Sequence, residues 1–201
     1  MQTMTDEEVR SFVRQNQWAT GLQIDPDGQD LYYDNAESNC IELKFPETPL
    51  RVSYFTRVLS LLNIDAEELF SGAVLWITFC DIGSPQLVKT GWKLVEKMRA
   101  GFGENRELRA APGHSFRSDE FVELNAFLLP CFVFGWDAYL LPSGEDYFVH
   151  ISHDEVCTVV TKTLALHAKL FKDLESLHPQ LASEGVFAKF CRTNTESSQA
   201  N

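Results

Sequence analysis

Phe127 to Leu174 constrains the fold more than any other stretch. An apolar run, Phe127 to Phe134, leads into Gly135-Trp136-Asp137-Ala138-Tyr139-Leu140-Leu141-Pro142. The turn residues Ser143-Gly144-Glu145-Asp146 follow, and then the apolar Tyr147-Phe148-Val149-His150-Ile151. Two runs rich in aromatic and branched residues around a Ser-Gly-acid turn predict a β-hairpin. Ser152-His153-Asp154-Glu155 then has capping-box spacing and predicts the start of a long helix. This strand–turn–strand–helix unit is the expected scaffold of the fold. The whole reads as α+β: a mixed or mainly antiparallel sheet with helices packed on it, and a C-terminal β-hairpin followed by a long helix. One domain over residues 1–192 and a polar tail over 193–201 suit the length of 201 residues.

The rest of the chain supplies elements for that sheet. Thr5 and Glu8 have capping-box spacing, and Val9, Phe12 and Val13 form a short stripe, predicting a helix to about Gln15. Gly21 to Phe45 reads as two or three short strands, the last near Cys40–Phe45. Thr48-Pro49 starts a helix carrying Val52, Phe55, Leu59 and Leu62 at helical spacing, and Asp65 to Glu68 repeats the capping-box spacing. Gly72 to Ile82 is nearly continuous in apolar residues, which predicts a strand covered on both faces. Ser84-Pro85 starts a further helix that ends at Gly101. Gly91 within its stripe costs about 1 kcal/mol relative to Ala, so something packs closely there. Phe102 to Arg117 has no period, and a capped segment from Ser118 to about Leu128 precedes the hairpin.

Composition excludes several classes. Apolar residues make up 44% and aromatic residues 12%, which excludes global disorder. No apolar run approaches the roughly 18 residues of a membrane-spanning helix, and the acidic first residues carry no signal core. Five scattered cysteines, Cys40, Cys80, Cys131, Cys157 and Cys191, without a Cys-x-x-Cys pair, read as reduced core thiols and a cytoplasmic location. The net charge is −12, which opposes nucleic-acid binding through bulk charge. It is unevenly spread. Between Lys89 and Arg117 seven basic residues meet three acidic ones, a balance of +4, so −16 falls on the remainder.

Candidate chemistry is sparse. His150, Ser152, His153, Asp154 and Glu155 form the densest set of titratable ligand types. Residues three apart on a strand point to opposite faces, so His150 and His153 share a zinc or iron ion only if the strand ends at Ser152. A third ligand would have to be Asp137 or His114. Helix capping accounts for most of this motif without a metal. His167 lies in a stripe of Val156, Val160, Thr163, Leu170, Phe171 and Leu174, where a histidine must satisfy its ring nitrogens or line a cavity. Asp137 beside Trp136 reads as a turn cap, a cross-hairpin partner or a catalytic candidate of unassigned role. Gly101 and Gly103 with Arg106, Arg109, His114 and Arg117 could form an anion-binding loop, though the spacing matches no phosphate-loop pattern. Asp25-Pro26-Asp27-Gly28-Gln29-Asp30 lacks the glutamate of a calcium loop, the twelfth position being Ala36.

The expectation is a non-catalytic, acidic protein-binding module of the inhibitor, immunity or regulatory kind, acting on a basic protein partner without cofactor or membrane. Asp6, Glu7, Glu8, Glu67 and Glu68 are its candidate contact residues, since complementary fields speed association. The alternative is a small metal- or anion-dependent enzyme gathering Asp137, His150 and His153 near the Arg106–Arg117 loop, with His167 a further catalytic candidate.

Overall fold

The computed structural model describes residues 1–16, 22–24, 31–33, 39–44, 71–79, 85–144 and 146–183. In chain order the elements are β1 (Gln2–Met4), α1 (Asp6–Asn16), β2 (Leu22–Ile24), β3 (Leu31–Tyr33), β4 (Asn39–Lys44) and β5 (Ala73–Phe79). They continue with α2 (Pro85–Gly101), β6 (Gly113–Phe116), α3 (Phe121–Phe134), β7 (Asp137–Pro142), β8 (Tyr147–Ser152), β9 (Val156–Thr161) and α4 (Leu164–Ser183). Seven strands form one sheet in the order β1-β6-β5-β7-β8-β9-β4, and β2 pairs with β3 separately. Every strand pairing among the described residues is antiparallel. The class is therefore α+β.

Period-two alternation sends side chains to two cores. Ala73, Leu75, Ile77, Ala138, Leu140, Val149, Ile151, Cys157 and Val159 face a larger core. There α2 contributes Val95, α3 contributes Leu124, Phe127, Leu128, Cys131 and Phe132, and α4 contributes Leu170. Val74, Trp76, Tyr139, Leu141, Phe148 and Val160 face the opposite side, where α1 adds Val9 and Val13. The β5 residues Ala73 to Ile77 are buried on both faces, as their unbroken apolar run predicts. Thr5 and Glu8 close the expected capping box: Glu8 accepts from the Thr5 N–H at 2.6 Å, and the Glu8 N–H donates to Thr5 Oγ1 at 3.3 Å.

Two elements of the C-terminal unit differ from expectation. Residues 127–134 belong to α3 rather than to a strand, and α3 begins at Phe121 rather than Ser118. Leu124, Phe127, Leu128 and Cys131 recur at helical spacing and all face the sheet. Gly135 then takes a left-handed conformation at φ 65°, and the Trp136 N–H donates to the Cys131 carbonyl at 2.9 Å, closing a Schellman stop. β7 and β8 pair antiparallel, but Ser152–Glu155 does not open a helix. The Glu155 N–H donates to the Ser152 carbonyl at 3.2 Å, and Glu155 sits at φ 64°, so the chain turns back into β9. A three-residue loop ending in a left-handed residue is a standard hairpin connection. The β-branched run Val156 to Thr161 favours the strand. The helix starts only after Thr163, whose Oγ1 accepts the Leu166 N–H at 3.2 Å.

The aperiodic segment also contains a strand. Gly113–Phe116 forms β6 between β1 and β5. A Cβ on Gly113 would lie 2.2 Å from Val9 Cγ2, so glycine there admits α1 onto the sheet. The helix expected from Pro49, the segment 65–68, the turn at 25–30 and the tail at 193–201 lie outside the described residues.

Candidate functional site

Asp137 and His153 come together. Asp137 opens β7 and His153 lies in the β8–β9 turn. The carboxylate Oδ1 accepts the His153 backbone N–H at 2.6 Å, and Nδ1 lies 2.7 Å from Oδ2 and 2.9 Å from Oδ1. In the neutral imidazole, an Nδ1–H donated to this carboxylate leaves Nε2 with the lone pair. Nε2 lies 3.6 Å from Asp154 Oδ1, so carboxylates flank the imidazole on both sides. The Ser152 hydroxyl accepts the Asp154 N–H at 3.2 Å. The unit can hold a proton at a defined ring nitrogen, and it also closes the turn mechanically.

His150 does not join that pair. It is register partner to Tyr139 across β7–β8, and the two rings stack at 4.5 Å and 7°. His167 Nε2 lies 3.2 Å from the Cys40 carbonyl of β4, and its ring stacks near Phe171 at 6.0 Å. Val156 and Val160, placed with His167 in one helical stripe by the sequence, instead belong to β9. His114 is fully buried in β6, its ring 4.8 Å from that of Phe127. Burial, reinforced by the positive charge of Arg99, pushes its pKa down to about 3. The carbonyls of Leu75 and Pro112 lie close enough to offset this slightly, but neither ring nitrogen makes a well-aligned hydrogen bond. Among the described residues no group of three His, Cys, Asp or Glu side chains is placed to hold a metal ion.

The three candidate anion-binding arginines have separate partners. Arg106 Nη2 lies 2.6 Å from Glu104 Oε2 and donates to Thr3 Oγ1 at 3.0 Å. Its hydrogen bonds hold the Glu104 carboxyl far below the usual carboxylate range. Arg109 lies over the Trp92 ring at 5.2 Å. Arg117 pairs with Asp119 at 3.2 Å and with Glu120 at 3.1 Å. The sequence gives little warning of Arg99, which is 1% exposed and donates to the Ala111 carbonyl at 3.0 Å. A basic residue one turn after Val95 on the apolar side of α2 was the available signal.

The acidic candidates on α1 face outward in part. Asp6 lies 2.5 Å from Arg10 Nε and Glu7 lies 3.3 Å from Arg14. The capping bonds from Thr5 lower the pKa of Glu8 and keep it ionised. Glu67 and Glu68 lie outside the described residues. No described helix is long and apolar enough to cross a membrane. Comparison of the chain with protein-family models, with curated proteins and with solved structures found no match.

Proposed function

We propose that the chain is a non-catalytic binding protein whose acidic surface engages a basic protein partner. The observation that carries this reading is the segregation of charge: −16 outside residues 89–117 against +4 within them. The first turn of α1, with Asp6, Glu7 and Glu8, supplies part of the negative surface, and the Glu7 side chain is 78% exposed. A regulatory or inhibitory role in the cytoplasm belongs to the same reading, supported by the buried, reduced thiol of Cys157. The test is affinity capture from the native cell, followed by association kinetics with the purified partner. Raising salt from ~50 to ~300 mM should slow association markedly, because exposed charges are screened within about 10 Å. Charge reversal at Glu7 and Glu8 should slow it as well. A salt-independent rate sinks the proposal.

The Asp137–His153 pair favours a second reading, a small enzyme using His153 as a positioned proton acceptor. Its anion-binding arm would need Arg106, Arg109 and Arg117 to leave their present partners. If His153→Ala abolishes activity in a stably folded protein, this reading replaces the first.

A further inference from the structure

The helix α3 is apolar on the side that packs on the sheet and also on the side turned to solvent, with Glu123 and Asn125 on its flanks. Opposite its core-facing residues, Val122, Ala126, Leu129 and Val133 form an outward stripe about 16 Å long at the α-helical rise. Val122 is 62% exposed, Leu129 37% and Val133 41%. The one carboxylate in α3, Glu123, is half-buried. A surface helix ordinarily turns polar residues to solvent, and a continuous apolar stripe there marks a contact surface.

The neighbouring helix says what kind of partner fits. Gly91 of α2 packs against Phe134 and Trp136, while Phe102, just past its C-terminal end, packs on Phe127 at 6.4 Å. The two helices therefore run antiparallel on one side of the sheet. Along the outward side of α2, Lys89, Lys93 and Lys97 recur every four residues, all exposed, and they form no ion pair with any described residue. Leu94, 45% exposed, adds apolar area on the same helix. A row of ammonium groups thus accompanies an apolar stripe of three helical turns.

We propose that α2 and α3 together dock an acidic amphipathic helix from another protein. Its apolar residues at i, i+3, i+4 and i+7 would lie on Val122, Ala126, Leu129 and Val133, and its carboxylates would face the lysines. Charge favours a helix over an anionic bilayer. A helix meets only this local positive strip, whereas a bilayer would also repel the −16 carried elsewhere. This surface lies across the sheet from α1, so it is independent of the acidic face.

The test uses a fluorescein-labelled peptide of about 18 residues, with leucine at i, i+3, i+4 and i+7 and glutamate elsewhere. The expected result is saturable binding by anisotropy, with backbone amide shifts confined to α2 and α3. Leu129→Glu with Val133→Glu should weaken binding at least about tenfold. Lys93→Ala with Lys97→Ala should weaken it several-fold and reduce its salt dependence. All four side chains point away from the core, and matched urea curves check the fold of both variants. Three results each overturn the proposal: no saturable shifts in α2 and α3, equal binding of a peptide with lysine in place of glutamate, or binding to phosphatidylserine vesicles but not to the acidic peptide.

Discussion

Gly91 of α2 meets Trp136 with no room for a methyl group between them. A Cβ at Gly91 would lie 2.7 Å from Cζ2 of the indole and 2.9 Å from a ring carbon of Phe134. The glycine that weakens the helix is what lets α2 close over the residue joining α3 to β7. Gly91→Ala should therefore destabilise by about 1–3 kcal/mol, overpacking outweighing the helix propensity it gains. Trp136 is fully buried, and Trp136→Ala should cost about 3–5 kcal/mol. Urea titration reads both. A more stable Gly91→Ala variant would show that the two helices have room to separate.

His114 should make the fold acid-sensitive. Its folded pKa of about 3 lies below the ordinary 6.5, so the unfolded chain binds a proton that the folded chain refuses. Stability is fully present above about pH 6.5 and declines as the pH falls towards 3, by at most about 1.4 kcal/mol per pH unit from this group. His114→Leu should flatten that part of the profile. An unchanged slope in the variant would assign the acid sensitivity to other groups.

Asp137 should hold the β8–β9 turn whether or not the pair has a catalytic role. Asp137→Asn keeps the shape but weakens both contacts to His153, and a loss of about 1–2 kcal/mol is expected at this partly exposed site. Hydrogen exchange at the His153 amide should accelerate. Exchange at the wild-type rate would mean that the backbone alone closes the turn.

Cys157 should be silent in the native protein. Burial raises its pKa to about 12, so almost none of it is thiolate at neutral pH. Iodoacetamide should label it only after denaturation, and denatured, unreduced protein should show five free thiols. Because the unfolded thiol ionises near 9, stability from this group is retained below pH 9 and lost as the pH rises towards 12. Rapid labelling of native protein would place Cys157 in a segment that opens readily.

Local chemistry in the sequence determined the elements whose signals are short-range. The Thr5–Glu8 box sets the start of α1, and the unbroken apolar run from Ala73 makes β5 a central strand. The tight contact at Gly91 was equally legible, because a glycine inside a helical stripe needs a packing reason.

Tertiary structure decided the cases in which one pattern fits two conformations. An eight-residue apolar run such as Phe127–Phe134 suits a buried strand or an all-apolar helix, and only its packing across β5 and β6 selects the helix. Ser152 to Glu155 suits a capping box or a three-residue turn, and pairing of β9 with both β8 and β4 selects the turn. The strand β6 is four residues long and carries a glycine, so β1, β5 and α1 create it rather than its own propensity. The pairing of Asp137 with His153, 16 residues apart, follows from that same sheet register. Hydrogen bonds between strands are non-local, and a sequence pattern cannot say which partner will satisfy them.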